Sequence, residues 1–406
     1  MISIDKRVIM ESIGSFLALR KHGPIGFILI FLLIFCNVQA QEQKKVEVMG
    51  YIKDIQNVFI PKPDSMYWLS DNTLENRIQL KYYPQSWLTA DVQVRNRFMY
   101  GDFVKSIPNY RGYIDQHMGF FDLSAMWGDN KSFIAYSEID RLNLLFNINK
   151  WQITVGRQRV NWGIDLIWNP NDIFNTYSYF NFEYAERPGA DAVSVKYYTN
   201  ATSFVEAVYQ MDKTFDQSSI GGLYRFNTHE YDIQFLGGKM KTDFVVGLGW
   251  SGNVGKAAFR GETSYFRDYK EFSDSVGVLV SSISMDYSFS NTLYLQGGFL
   301  FNSSGATKDV AAVDLFSQQV ASPKTLSKGK YNLFAQATGQ LTPLVSPGIA
   351  IMFNPSDKST FISPSVTLSV TENFDFSAVG ILFLGKENTE YQNIGQLVYI
   401  KFKWNF

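Results

Sequence analysis

The chain has 406 residues, with 37 basic and 38 acidic side chains and a formal net charge of −1 at pH 7. This balance lacks the basic footprint that nucleic-acid binding usually leaves. A mean hydropathy of −0.11 is too polar for a bundle of transmembrane helices. Aromatic residues make up 16% of the chain and charged residues only 18%, against ~25% charged residues in an average soluble domain. This composition favours an all-β fold, a transmembrane antiparallel β-barrel with lipid outside and water inside.

The N-terminal segment, 1–40, predicts a secretory signal peptide. A basic flank at 20–22 precedes an apolar core at 25–35, and the segment ends in Val38, Gln39 and Ala40. An N-terminal membrane anchor is the weaker alternative, because the apolar core is too short to span a bilayer comfortably. Two methionines, Met1 and Met10, compete as the true start of the chain.

The only cysteine, Cys36, lies within this signal. Residues 41–406 therefore form no disulfide, and an exported protein without disulfides depends on hydrogen bonding and packing alone. A closed barrel meets that requirement. We predict that 41–406 form one barrel in the outer membrane of a Gram-negative bacterium, without a second domain.

Alternation of apolar and polar residues begins at residue 46 and continues to the end of the chain. Segments of about ten residues with this period are typical of strands that have lipid on one face and water on the other. In the last segment, 394–406, Val398 and Ile400 belong to the apolar face and Lys401 to the polar face.

Short and long links alternate between the predicted strands. The short links lie at 83–86, 147–150, 198–202, 228–230, 251–255, 288–291, 342–345 and 372–374. The long links lie at 59–73, 101–132, 161–189, 213–218, 268–276, 302–329, 355–359 and 385–393, with a short link at 239–242 as the exception. Short periplasmic turns and long external loops are the pattern of bacterial barrels.

The strand count from 46–58 to 394–406 is eighteen, which leaves both ends periplasmic; sixteen is the alternative. Pro347 and Pro364 fall within predicted strands, where each proline removes a hydrogen-bond donor from the ladder, so these two strands are weaker predictions.

The C-terminal strand carries aromatic residues at alternate positions, namely Phe402, Trp404 and Phe406. It resembles the terminal aromatic strand by which outer-membrane barrels are delivered to their assembly machinery. This resemblance implies two partners, that machinery and the lipid of the outer membrane.

Basic side chains outnumber acidic ones on the face that alternation turns inward. The predicted lumen wall comprises Arg77, Lys81, Arg95, Arg97, Lys401 and Lys403. Basic residues that line a pore raise the local concentration of anions, because low-dielectric walls focus the field. Strand closure would bring Lys401 and Lys403 within about two strands of Lys81, all toward the periplasmic end. A weak anion preference and no preference are both left open.

One long link, 161–189, predicts a loop folded into the barrel mouth, because it is crowded with aromatic residues. The expected constriction is formed by Arg157, Arg159, Asp172, Glu183 and Arg187. Acidic residues of the loop would face Arg157 and Arg159, and opposed acidic and basic walls would create a transverse field.

Two local features of this region are predicted from residue chemistry. Strict alternation would aim Arg157 and Arg159 at lipid, where charge is costly. A bulge at Gly156 that turns them inward, or a position in the headgroup zone, resolves the conflict. Asn169 followed by Pro170 is typical of a helix start.

These residues carry a resemblance to a known group of proteins. The runs G-R-Q-x-x-x-W-G from Gly156, N-P-x-D-x-F-N from Asn169 and P-G-x-D-A from Pro188 are similar to those of porin-like outer-membrane β-barrels and, more distantly, of alginate-export barrels. The resemblance implies passage of a small polar or anionic solute. The lumen is more mixed in charge than that of an alginate exporter.

Catalytic and metal-binding motifs are scarce. Residues 41–406 hold two histidines, His117 and His229, and no G-x-S-x-G motif or cysteine nucleophile. We therefore predict no enzyme activity, no cofactor and no metal. Acidic residues on the 101–132 link leave external Ca²⁺ as an alternative to simple solvation.

The predicted function is passive or facilitated diffusion of small polar or anionic solutes through an outer-membrane porin. A polysaccharide-export barrel, or a surface or structural barrel that does not conduct, is the alternative. The sequence leaves the solute, the gating behaviour and the oligomeric state open.

Overall fold

The computed structural model describes residues 45–62, 67–115, 119–176, 179–180, 186–310, 312 and 322–406. The predicted signal peptide lies outside them. In this described part of the chain no helix is both long and apolar enough to cross a membrane.

Eighteen antiparallel strands form one closed barrel, which confirms the predicted fold and strand count. They are β1 (Val46–Pro61), β2 (Leu69–Gln85), β3 (Leu88–Gly101), β5 (Phe133–Ile148), β6 (Trp151–Gln158), β7 (Ala190–Tyr198), β8 (Phe204–Gln210), β9 (Ser219–Thr228), β10 (Tyr231–Met240), β11 (Asp243–Val254), β12 (Ala257–Asp268), β13 (Val278–Ser288), β14 (Tyr294–Asn302), β15 (Tyr331–Thr338), β16 (Val345–Asn354), β17 (Ser359–Thr371), β18 (Phe374–Leu384) and β19 (Gly395–Asn405).

The link between β3 and β5 has secondary structure of its own, which the sequence pattern did not predict. It holds two short helices, α1 (Asp102–Ser106) and α2 (Tyr110–Ile114), and a short strand, β4 (Ser124–Asp129). Strand β4 pairs with the part of β5 that lies beyond the end of β6, so it occupies the β6 position at that rim.

Closure of the barrel depends on pairing between the first and last strands. Strand β1 pairs with β2 on one side and with β19 on the other. Lys53 lies opposite Lys403 in this register, and the backbone of Gly50 exchanges two hydrogen bonds of 2.9 Å with that of Phe406. The start of β1 and the end of β19 therefore lie at the same rim.

The two faces of the sheet have opposite character. Outward apolar side chains such as Leu74, Val246 and Trp404 are exposed, whereas inward polar side chains such as Gln234 and Asn332 are fully buried. This inversion of the usual soluble pattern is expected when the outer face contacts lipid.

Both prolines lie inside strands, as the count of eighteen requires: Pro347 in β16 and Pro364 in β17. The ladder between β17 and β18 is interrupted at Ser363 and Pro364 and resumes at Ser365 in the same register. The missing donor of Pro364 thus interrupts the ladder without shifting it.

Candidate solute pathway

Buried charges connect β1, β2, β3 and β5 on the inner face. Glu75 forms salt bridges with Lys53 at 2.8 Å and with Arg95 at 2.7 Å, and all three side chains are buried. Arg77 pairs with the buried carboxylate of Asp140. Three of the predicted wall residues, Arg77, Arg95 and Arg97, lie in this cluster.

Arg97 also contacts an aromatic ring. Its guanidinium carbon lies 5.0 Å from the ring centroid of Tyr136, whose ring is itself buried. A guanidinium over an aromatic face is attracted by the ring quadrupole.

Three lysines meet where β1 and β19 close the barrel. Lys403 lies opposite Lys53 in the register, and Lys401 follows two residues away on the same face. The ammonium groups of Lys403 and Lys53 lie 4.6 and 5.4 Å from the ring centroid of Tyr51. Among the described residues, no salt bridge involves Lys401 or Lys403, although Asp375 of β18 lies opposite Lys403 in the register.

Lys81 lies apart from these lysines. It is half-buried and pairs in register with Glu47 of β1 and Asp91 of β3, six residues along β2 from Glu75. The expected separation of about two strands from β19 is correct. The register places Lys403 beside Lys53, six residues along β1 from Glu47, the residue opposite Lys81.

Arg157 forms a buried bidentate ion pair with Asp191. The Nε–Oδ1 and Nη2–Oδ2 distances are both 2.8 Å, and the side chains are only 6% and 2% exposed. Arg157 also donates to the carbonyl oxygen of Phe121 at 2.6 Å. Its acidic partner thus comes from β7 and not from the loop acids.

Gly156 has a φ of +114°, a conformation that favours glycine. The pairing of β6 with β5 and β7 runs from Trp151 to Gln158 without a register shift. The shift of this region lies between β3 and β5, where Asp140 is the extra residue. The backbone of this region is therefore irregular at two places, the extra residue Asp140 in β5 and the positive φ of Gly156 in β6.

The link between β6 and β7, residues 159–189, is called the lumenal loop below. Within it the structure brings together Asp172 and Arg187, whose Oδ2 and Nη1 atoms lie 3.1 Å apart. Burial raises the pKa of Asp172 to about 6, while Arg187 and the exposed Arg159 lower it. The pair lies within one loop rather than across a pore, and Glu183 lies outside the described residues.

The predicted helix start at Asn169 is wrong. Residues 169–172 form a turn, in which the backbone N–H of Asp172 donates to the carbonyl oxygen of Asn169 at 3.1 Å. The Asn169 amide donates instead to the carbonyl oxygen of Asp165 at 2.6 Å. Tertiary contacts of the loop prevail over the local capping preference.

The lumenal loop follows the polar inner face of the barrel. Trp162 is buried and donates its indole N–H to Glu206 on β8 at 3.2 Å, and its carbonyl oxygen accepts from Gln234 on β10 at 2.7 Å. Farther along, Trp168 packs edge-on against Phe334 of β15.

The far part of the loop reaches β17. Phe180 lies 5.2 Å from Phe361 between ring centroids. The loop thus contacts strands from β8 to β17, whereas the three lysines lie on β1 and β19. Where the loop returns toward β7, the guanidinium of Arg141 donates hydrogen bonds to the carbonyl oxygens of Glu186 and Arg187.

Sequence reasoning missed the residues that hold the loop and its arginine, notably Asp191, Glu206 and Glu262. Asp191 stands in the P-G-x-D-A run, which was a usable signal. Nothing in the local pattern of β8 or β12 distinguishes Glu206 or Glu262 from other inward carboxylates. In the described part of the chain no group of three or more His, Cys, Asp or Glu could hold a metal ion.

The sequence matches no protein-family model and no curated protein. Three solved structures share the fold. OccAB2 of Acinetobacter baumannii has a TM-score of 0.58 at 10% identity, over 91% of this chain and 99% of its own. OccAB4 of the same organism has 0.57 at 10%, over 91% and 100%. OccD3 (OpdP) of Pseudomonas aeruginosa has 0.56 at 8%, over 89% and 91%. At such low identity these structures show the fold alone, and this chain shares with them a closed antiparallel β-barrel.

Proposed function

We propose that this protein is an outer-membrane porin through which small polar solutes diffuse, with a preference for anions. The observation that carries the proposal is the group of three lysines at the β1–β19 seam, two of which form no salt bridge with any described residue. Elsewhere on the inner face, basic side chains such as Arg157 and Arg260 have carboxylate partners.

Electrostatics explains why this group favours anions. Like charges held close together repel, and the low-dielectric barrel wall screens that repulsion less than bulk water does. A passing anion relieves the repulsion, so its concentration beside Lys401 and Lys403 rises above that in bulk solution. The fold supports passage, since barrels of sixteen to eighteen strands enclose a water-filled lumen unless it is plugged.

Planar-bilayer recording tests both parts of the proposal. We expect discrete conductance from the purified barrel and a reversal potential of anion-selective sign under a KCl gradient. The double variant Lys401→Gln/Lys403→Gln should shift this potential toward cation selectivity. A matched control, Lys213→Gln/Lys256→Gln, removes two positive charges that are exposed in links and should leave it unchanged.

A barrel that never conducts contradicts the porin function and favours a surface or structural role. Cation selectivity of the wild type, or equal potentials in the wild type and the Lys401/Lys403 variant, contradicts the anion preference alone.

A further inference from the structure

The carboxylate of Glu262 on β12 is enclosed by the lumenal loop. Its side chain is completely buried. It accepts hydrogen bonds from the backbone N–H groups of Ile164, of Asp165 at 2.6 Å and of Asn171 at 2.9 Å. The side-chain nitrogen of Asn169 lies 3.4 Å from the same carboxylate. Residues 164–171 therefore wrap around a single carboxyl group.

No positive side chain forms a salt bridge with Glu262 among the described residues. The nearest charged group of the loop is Asp165, whose carboxylate accepts from Ser284 and from the backbone N–H of Leu166. The carboxyl oxygens of Glu262 thus accept from oriented N–H groups, as the oxygens of an anion do in a backbone nest. Here the carboxyl group belongs to the barrel wall and the nest belongs to the loop.

We infer that Glu262 is the positioning residue that anchors the lumenal loop to the wall. The other polar contacts of this part of the loop with β10, β11 and β13 are single bonds, such as those from Gln234 to Trp162 and from Ser282 to Trp168. Glu262 alone among them binds three backbone N–H groups, which cannot be satisfied elsewhere once the loop is dehydrated. Its effect on ion flow rests on the proposed porin function, whereas its effect on the loop does not.

Two substitutions of Glu262 distinguish the effect of its hydrogen bonds from the effect of side-chain packing. Glu262→Gln keeps the shape of the side chain, but turns one acceptor oxygen into an NH₂ donor that faces N–H groups. Glu262→Ala removes every acceptor. The control, Asp286→Asn, removes a carboxylate from the neighbouring strand β13, where it pairs with Arg260 and forms no hydrogen bond with a described residue of the loop.

Limited chymotrypsin digestion of the folded barrels measures how often the loop opens. The loop contains several aromatic cleavage sites, including Trp162, Trp168 and Phe174, which are buried in the intact protein. Cleavage there should accelerate on the order of tenfold in Glu262→Gln, because proteolysis follows the population of the locally open state. Glu262→Ala should be cleaved faster still, and Asp286→Asn at the wild-type rate.

Cleavage of Glu262→Gln at the wild-type rate, with the barrel shown to be folded by its heat-dependent gel mobility, overturns the anchor. Single-channel currents supply the second measurement: we expect a larger conductance or added current noise in Glu262→Gln and not in Asp286→Asn. If Glu262→Gln is cleaved faster but its currents are unchanged, Glu262 anchors the loop but does not control the width of the pore. A wild-type barrel without current contradicts the proposed function, while the digestion still tests the anchor.

Discussion

At the scale of single residues, burial decides what an ion pair contributes. Arg157 and Asp191 are almost fully buried, so removal of one partner leaves a desolvated charge without compensation. Arg111 and Asp129 form a pair at 2.6 Å with side chains 54% and 39% exposed, where water screens both charges. Two pairs of similar geometry should therefore differ widely in their effect on stability.

We predict that Asp191→Ala lowers the free energy of unfolding by about 3–5 kcal/mol, because Arg157 then stays buried and unpaired. Asp129→Ala should lower it by about 0–1 kcal/mol. Urea-induced unfolding of the purified barrels in detergent or lipid measures both values. Equal losses in the two variants would show that the Arg157–Asp191 pair is not the buried charge contact described above.

At the scale of elements, one carboxylate connects two external links and the end of β16. Glu390 lies in the link between β18 and β19 and is 1% exposed. It accepts from Ser327 at 2.7 Å, from the backbone of Lys328 at 2.9 Å and from Asn354 at 2.8 Å. Ser327 and Lys328 belong to the link between β14 and β15, and Asn354 ends β16. These contacts hold the outer ends of neighbouring hairpins in one arrangement.

We predict that Glu390→Ala frees the link between β14 and β15 while leaving the strands closed. The backbone N–H of Lys330, which donates to Ala306 within that link, should then exchange with solvent on the order of tenfold faster. Hydrogen exchange followed by mass spectrometry measures this. Glu387→Ala is the matched control, since Glu387 is an exposed carboxylate in the same link as Glu390. Equal exchange rates at Lys330 in the two variants would show that Glu390 does not hold the link between β14 and β15.

At the scale of the whole molecule, closure joins the first strand to the last. The register runs from Tyr51 opposite Asn405 to Pro61 opposite Gly395. The outward aromatic residues at the end of β19 include Trp404 and Phe406, whose ring centroids lie 5.3 Å apart. The same strand therefore completes the hydrogen-bonded ring and presents the aromatic pattern that predicts recognition by the assembly machinery.

We predict that Phe406→Ala reduces the amount of folded barrel in the outer membrane several-fold, yet changes the unfolding midpoint of the purified protein little. Its ring is exposed on the outer face, and its backbone hydrogen bonds to Gly50 are retained. Heat-dependent gel mobility of membrane fractions gives the folded amount. Asn405→Ala, one position earlier on the inward face, should assemble normally. Normal assembly of Phe406→Ala would show that Phe406 is not part of the assembly signal.

The sequence by itself determined the barrel and the inward position of wall residues such as Arg95 and Lys403, and it favoured eighteen strands over sixteen. The physical reason is that a strand between lipid and water must alternate at a period of two, and that signal is local in the chain. Turn and loop lengths are local as well, so their alternation gave the topology.

Tertiary structure alone decided the partners. Arg157 pairs with Asp191, 34 residues away, and Glu262 meets the backbone of Ile164 across 98 residues. Alternation places a side chain on a face, but gives neither its level along the barrel nor what lies over it. The turn at Asn169 shows the same rule, because its local capping preference for a helix yields to the contacts that the loop makes with the barrel wall.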